Sequence, residues 1–262
     1  MKTRIMGVLN VTPDSFSDGG LFLGVDKAVE HARRMVEEGA VIVDVGWESS
    51  RPGSDAVSEK EELERVIPVV ERLVDEISVP ISIDTYKPKV AEECLRLGAS
   101  MVNDISGLEN REMAFVAAKH GASLVIMHMK GKPKTMQENP VYSDVVREVK
   151  GFLAEKIGEA KHAGINDIII DPGIGFGKTT EHNLQILKRL GEFKELGCPI
   201  LVGTSRKSFI GNVNGGLPVD QRLEGTLASV SIAVVNGADV VRVHDVRECK
   251  KAVEMAEAIR DA

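Results

Sequence analysis

The sequence of 262 residues is poor in aromatic side chains, with one Trp, two Tyr and seven Phe. So few flat rings leave little on which bases could stack, which argues against a platform for single-stranded nucleic acid. Cysteine is scarcer still. Cys94, Cys198 and Cys249 stand far apart with no C-x-x-C spacing, so reduced thiols in a cytoplasmic protein are expected rather than a disulfide framework. Long apolar runs are missing: nothing approaches the ~18 consecutive residues of a membrane span. The N-terminal MKTRIMGVLN holds an apolar stretch too short for a signal peptide, and the polar Asn10 and Asp14 keep it from extending. No Lys/Arg-rich run occurs and the formal net charge is −7, so neither nucleic acid nor an anionic membrane is expected as a partner. An anionic small molecule stays open, because a basic pocket can sit on an acidic protein. The six histidines include no H-x-H or H-x-x-x-H pair, which removes the ligand spacing of a zinc or binuclear hydrolase. His31, His120, His162 and His182 fall in expected helices, leaving His128 and His244 at strand ends.

What the chain has is alternation. Short β-branched runs at 5–9, 41–45, 81–83, 100–102, 124–127, 167–170, 199–202 and 239–243 alternate with charged segments of helical period such as 25–38, 59–76, 88–97 and 144–163. Near-continuous apolar strands mark a parallel sheet buried on both faces. Eight such units in this length, with no linker between them, predict one (β/α)8 barrel domain over residues 1–262. Gly-Ala pairs at 39–40, 98–99, 121–122 and 237–238 precede strands. A Gly there allows the left-handed helix cap that turns the chain into the next strand.

Each strand ends on a polar group. In order these are Asn10, Asp44, Asp84, Asn103-Asp104, His128, Asp171, Ser205-Arg206-Lys207, and Arg242 with His244. A single Asp after a strand is ordinarily a turn or cap residue. Eight polar strand ends meeting at the rim where barrel enzymes keep their active sites point to catalysis or binding.

Four loop motifs add to this. NVTPDSFSDGG (10–20) is long and polar, as a lid would be, and carries Phe16. GWESSRPGSD (46–55) sets Arg51 beside Pro52 on a turn, which with Arg242 and His244 suggests an anion clamp. DPGIGFGKTT (171–180) nearly spells a phosphate-binding Walker loop, but Pro172 stands where that pattern needs Gly. Its glycines fit better as a close backbone approach to a flat ligand beside Asp171 and Phe176. GTSRKSFIG (203–211) should open a helix whose free N–H groups, with Lys207 and Ser208, suit a carboxylate or phosphate.

Taken together, GVLNVTPDSFSDGG, SIDTYKP, VNDISG, MHMKGKPKTMQENPVY, DPGIGFGKTTEHN, LVGTSRKSFIG, RLEGTLA and RVHDV resemble, in order, the signature segments of the dihydropteroate synthase family, from about Gly7 to Val246. The resemblance implies an eight-stranded barrel, usually a homodimer through helices near the C-terminal end. It implies an enzyme that joins 6-hydroxymethyl-7,8-dihydropterin diphosphate to 4-aminobenzoate, giving 7,8-dihydropteroate and diphosphate. It implies Asn10 as a ligand of Mg2+, with Ser50, Arg51, Arg242 and His244 on the diphosphate. Asp84, Asn103, Asp171 and Lys207 would bind the pterin, with Met127 packed beneath it. Phe16, Pro52, Phe176, Lys207 and Ser208 would form the aminobenzoate pocket, and Asp84, Asp171, Lys207 and Arg51 would carry the catalysis.

Two other readings share some of these features. A pterin-binding methyltransferase barrel would share the carboxylate but not need the diphosphate clamp or the SRKS segment. A pterin-binding paralogue without turnover would find support only in Trp47, which stands where the family usually has Gly. In the expected second loop, Trp47 would either cap the closed site, changing the acceptor pocket, or pack outside it. Ser50 replaces a usual Thr and keeps the hydroxyl.

Overall fold

Parallel strands need crossover helices, and here the two alternate along the chain. In the computed structural model, which describes residues 2–11, 20–47, 57–132 and 135–262, eight parallel strands carry the alternation. They are β1 (Arg4–Asn10), β2 (Ile42–Gly46), β3 (Ile81–Asp84), β4 (Met101–Asp104), β5 (Ser123–Met127), β6 (Ile168–Asp171), β7 (Leu201–Val202) and β8 (Val240–Val243). The hydrogen-bonded order runs β6-β5-β4-β3-β2-β1-β8-β7, and a parallel bridge between Ile170 and Ile200 joins its two ends. The sheet is a (β/α)8 barrel.

Around it lie α1 (Gly20–Glu38), α2 (Glu59–Glu76), α3 (Pro88–Leu97), α4 (Glu112–Lys119), α5 (Val145–His162), α6 (Thr180–Lys188), α7 (Ser208–Val213), α8 (Leu223–Val235) and α9 (Val246–Arg260). The expected segments 59–76 and 88–97 coincide with α2 and α3. His120 falls one residue past α4, as its C-cap. The Gly-Ala pairs behave as expected: Ala40, Ala99, Ala122 and Ala238 each donate a backbone N–H to the carbonyl five residues back, at Met35, Cys94, Ala117 and Ala233. Gly39 at φ 113° and Gly98 at φ 123° supply the turn that a residue with Cβ resists.

Side chains alternate in and out along each strand. Inward, Met6, Ile42, Met101, Val125, Ile169, Leu201 and Val240 fill one compact cluster. Outward, Val43, Val45, Ile83, Val102, Leu124, Ile126, Ile170, Val241 and Val243 join the larger core beneath the helices. The apolar plug therefore closes the lower barrel, and on β2, β4, β6 and β8 the next inward residue towards the C-terminal end is polar. Among the described residues no helix is long and apolar enough to cross a membrane.

Candidate active site

The cup above the plug is built from strand parity. Asp44 lies two residues after Ile42 on β2, Asn103 two after Met101, Asp171 two after Ile169 and Arg242 two after Val240. Each therefore faces inward like the plug residue before it. Register brings Asn10 beside Gly46, Gly46 beside Asp84, and Asp84 beside Asn103. Gly46 leaves room for this: a Cβ there would stand 3.4 Å from Asp84 Oδ2.

Arg242 ties the floor together. Its Nε donates to Asp44 Oδ2 at 2.6 Å and its Nη2 to Asp84 Oδ2 at 2.7 Å. Asn103 Nδ2 donates to the same Asp44 Oδ2 at 3.0 Å. Asp44 is fully buried and Asn103 is 3 % exposed, yet Asp44 Oδ1 and Asn103 Oδ1 accept nothing from the described residues. Two buried acceptors without donors are costly, and a ligand that satisfies them has to bring N–H or O–H groups. Burial pushes the Asp84 carboxyl up to about 7, Arg242 acts against this, and Asp44 adds to it.

Asp171 and Lys207 form the opposite wall. Asp171 Oδ1 accepts from Gly173 N at 2.7 Å. Burial raises the Asp171 carboxyl, with Lys207 the largest opposing influence. Lys207 donates to the Ile174 carbonyl and rests its Nζ 4.6 Å from the centre of the Phe176 ring. Burial lowers Lys207 to about 8, against the pull of Asp171. Phe176 and Met127 pack in one small cluster with Ile105 and Met136, flanked by Tyr86 and Met129. The flat apolar seat and the charged rim are thus continuous.

His244 lies at the mouth after β8. Ser205 Oγ accepts from the His244 backbone N–H at 3.2 Å and lies 2.9 Å from its Nδ1. Asn10 is exposed at the end of β1, and Ser208 is exposed at the first turn of α7. The structure therefore gathers Asp84, Asn103, Met127, Asp171, Phe176, Lys207 and Arg242 at the cup, with Asn10, His244 and Ser208 at its polar strand and helix ends. Phe16, Ser50, Arg51 and Pro52 lie outside the described residues.

A match to the pterin binding enzyme family model extends over residues 6–244. The dihydropteroate synthase of a Synechocystis strain is 47 % identical over 261 residues, 98 % of this chain and 90 % of that protein. The chain belongs to the pterin binding enzymes, among the dihydropteroate synthases. Two solved structures of the family match closely. The Clostridium difficile dihydropteroate synthase in the presence of pteroic acid is 49 % identical, with a TM-score of 0.92 and coverage of 98 % of this chain and 97 % of that one. The Xanthomonas albilineans dihydropteroate synthase with 4-aminobenzoic acid is 44 % identical, with a TM-score of 0.92 and coverage of 100 % and 94 %.

Within this family site, three strand-end residues turn away from the cup. Asp104 is one residue past inward Asn103 and faces out, where its carboxylate accepts from Ser106 N at 2.8 Å and Leu108 N at 2.9 Å. His128, one past Met127, stands edge-on to Phe152 of α5 with ring centroids 5.0 Å apart. Trp47, one past Gly46, is 2 % exposed in the core beneath the helices, with the Arg65 guanidinium of α2 4.4 Å from its ring centroid. Position 47, where the resemblance implies Gly, thus lies on the outer face of the barrel. Trp47 packs outside the site and does not cap it.

Asp44 was readable as a polar strand end but not as the partner of Arg242, which lies 198 positions away. The signal was parity: an Asp between inward positions of a buried strand needs a buried partner.

Proposed function

We infer that this protein condenses 6-hydroxymethyl-7,8-dihydropterin diphosphate with 4-aminobenzoate, releasing diphosphate and forming 7,8-dihydropteroate. The observation that carries this is the donor-seeking floor of the cup. Asp44 Oδ1 and Asn103 Oδ1 have no partner among the described residues, and a pterin edge brings an exocyclic amine and ring N–H groups. Asp171 keeps Oδ2 for such donors, since Gly173 N uses Oδ1. A carboxylate facing two adjacent N–H groups makes the strong paired bond. Met127 and Phe176 supply apolar surface for the ring.

Three carboxylates, Asp44, Asp84 and Asp171, face two cations, Arg242 and Lys207. In their ionised form these carboxylates suit a positive charge that spreads from the methylene into the pterin as diphosphate departs. In this reading Asp84 and Asp171 stabilise that charge. Arg242 and His244 hold the leaving oxygens, with Ser50 and Arg51 from the second loop. The aromatic amine attacks in its neutral form and needs no strong base. Phe16, Pro52, Phe176, Lys207 and Ser208 bound its site, with Ser208 and Lys207 near its carboxylate.

Mg2+ fits the donors present. Asn10 offers a hard amide oxygen at the mouth, and no group of three His, Cys, Asp or Glu among the described residues could cage a metal. Such an ion would keep its waters and rest mainly on the diphosphate. When bound it would supply Lewis-acid stabilisation of the leaving group.

Assembly can be read from the surface of the same chain. Ile232 and Val235 on α8 are 50 % and 41 % exposed, and Met255 and Ile259 on α9 are 62 % and 60 % exposed. Apolar stripes on two packed helices support a homodimer through this face. The whole chain acts as one domain, and its three free thiols fit the reducing cytoplasm. The test is diphosphate release: it should require 4-aminobenzoate and Mg2+ together, and pterin binding without release would overturn the reading.

A further inference from the structure

Lys178 is a buried amine for which the reaction above has no use. It is 2 % exposed, and burial drives its pKa well below the ordinary lysine value, with the charge of Asp171 opposing that shift. A buried lysine is costly unless hydrogen bonds compensate it. Here its Nζ lies 2.9 Å from the Gly173 carbonyl, 3.0 Å from that of Phe176, 3.3 Å from that of His128 and 2.9 Å from His128 Nδ1. Burial, and then Lys178 itself, push His128 down to about 2, so its ring stays neutral.

The backbones around Lys178 are pressed together. A Cβ on Gly173 would stand 1.8 Å from the His128 carbonyl oxygen, and one on Gly177 would stand 2.2 Å from that of Lys130. The loop after β6 therefore lies flat on the chain leaving β5. This contact points three carbonyl dipoles, those of His128, Gly173 and Phe176, at one spot. Alone they would repel each other. Nζ sits at their meeting point and turns the repulsion into three attractions.

That same loop carries much of the site. Gly173 N holds Asp171 Oδ1, the Ile174 carbonyl accepts from Lys207, and Phe176 lies under the Lys207 ammonium. Three further bonds fasten the loop: Gly175 N donates to Asn183 Oδ1 at 2.7 Å, Gln137 Nε2 donates to the Gly175 carbonyl at 2.7 Å, and Tyr142 Oη donates to the Gly177 carbonyl at 2.8 Å. Among the described residues, Lys178 alone ties more than one carbonyl of the loop to the end of β5 beside Met127.

We propose that Lys178 is a positioning residue: by drawing the carbonyls of Gly173, Phe176 and His128 onto one amine it sets where Asp171 and Lys207 stand, and so fixes the pterin and aminobenzoate walls. The proposal rests on the dihydropteroate synthase reading of the cup. Lys178→Met keeps the length and removes the bonds. Loss of two or three bonds that orient Asp171 and Lys207 should weaken 6-hydroxymethylpterin binding by about tenfold or more and raise the KM for 4-aminobenzoate. A purely structural role would lower the folded fraction, and with it kcat, while Kd and KM held. That outcome overturns the proposal. Should Lys178→Met fail to fold, His128→Leu removes the ring nitrogen beside Nζ and should weaken pterin binding by roughly threefold; unchanged affinity would equally overturn it. Absence of pterin binding by the wild-type protein would instead count against the proposed function.

Discussion

Replacing Trp47 with Ala separates packing from catalysis. The ring is 2 % exposed beneath α2 and meets the Arg65 guanidinium at 4.4 Å. Truncating a buried Trp costs about 3–5 kcal/mol, and losing the cation contact adds roughly 1 kcal/mol. At ~2–4 °C per kcal/mol for a chain of this size, the melting temperature should fall by about 8–24 °C. The catalytic constants should hardly move, because Gly46 and Asp84 form the inner surface at this level while Trp47 faces outward. The assay is calorimetry beside steady-state kinetics at a temperature where the variant stays folded. Fluorescence of the wild-type protein, which has one Trp, gives an independent check: its emission should be that of a buried indole and should not change as both substrates saturate. A tenfold rise in the KM for 4-aminobenzoate with an unmoved melting temperature would refute this placement, as would quenching by that substrate.

Asp171→Asn keeps the shape but gives up the charge facing the pterin N–H groups, and should weaken pterin binding by about 10- to 100-fold, measured by titration calorimetry; an unchanged Kd would remove Asp171 from the pterin wall. Lys207, lowered to about 8 by burial, is an ammonium below that pH and loses its proton above it. The pH profile of kcat/KM should therefore fall above about pH 8, and Lys207→Arg, which does not titrate there, should abolish that limb even if activity drops. The same alkaline limb in both proteins would assign it elsewhere. If α8 carries the proposed homodimer face, Ile232→Glu should shift the protein from dimer to monomer in sedimentation velocity at micromolar concentration; an unshifted dimer, or a monomeric wild type, would contradict that face.

Much of the fold was legible in the sequence because barrels repeat. Near-continuous β-branched runs marked the strands, Gly-Ala pairs marked the helix ends, and α2 and α3 have the limits their periodicity suggests. Asp84, Asn103, Asp171 and Arg242 were readable as rim residues. Their neighbours were harder, because a shift of one residue moves a side chain to the other face of the sheet. Asn103 faces the cup while Asp104 caps its own turn, and Met127 faces it while His128 meets α5. Trp47 obeys the same rule beside Gly46. Pairings between distant strands were not legible, since nothing local announces that Asp44 holds Arg242. Lys178 was hidden in another way: within GFGKTT it looks like a phosphate-binding lysine, and only the fold reveals that carbonyls surround it.

If the cup commits bound pterin to transfer onto an aromatic amine, both products of one reaction must appear together. Purified protein, Mg2+, 6-hydroxymethyl-7,8-dihydropterin diphosphate and isotopically labelled 4-aminobenzoate should yield diphosphate and labelled 7,8-dihydropteroate in equal amounts by mass spectrometry. Diphosphate released at the same rate without 4-aminobenzoate, or with no label entering the pterin product, would contradict that commitment.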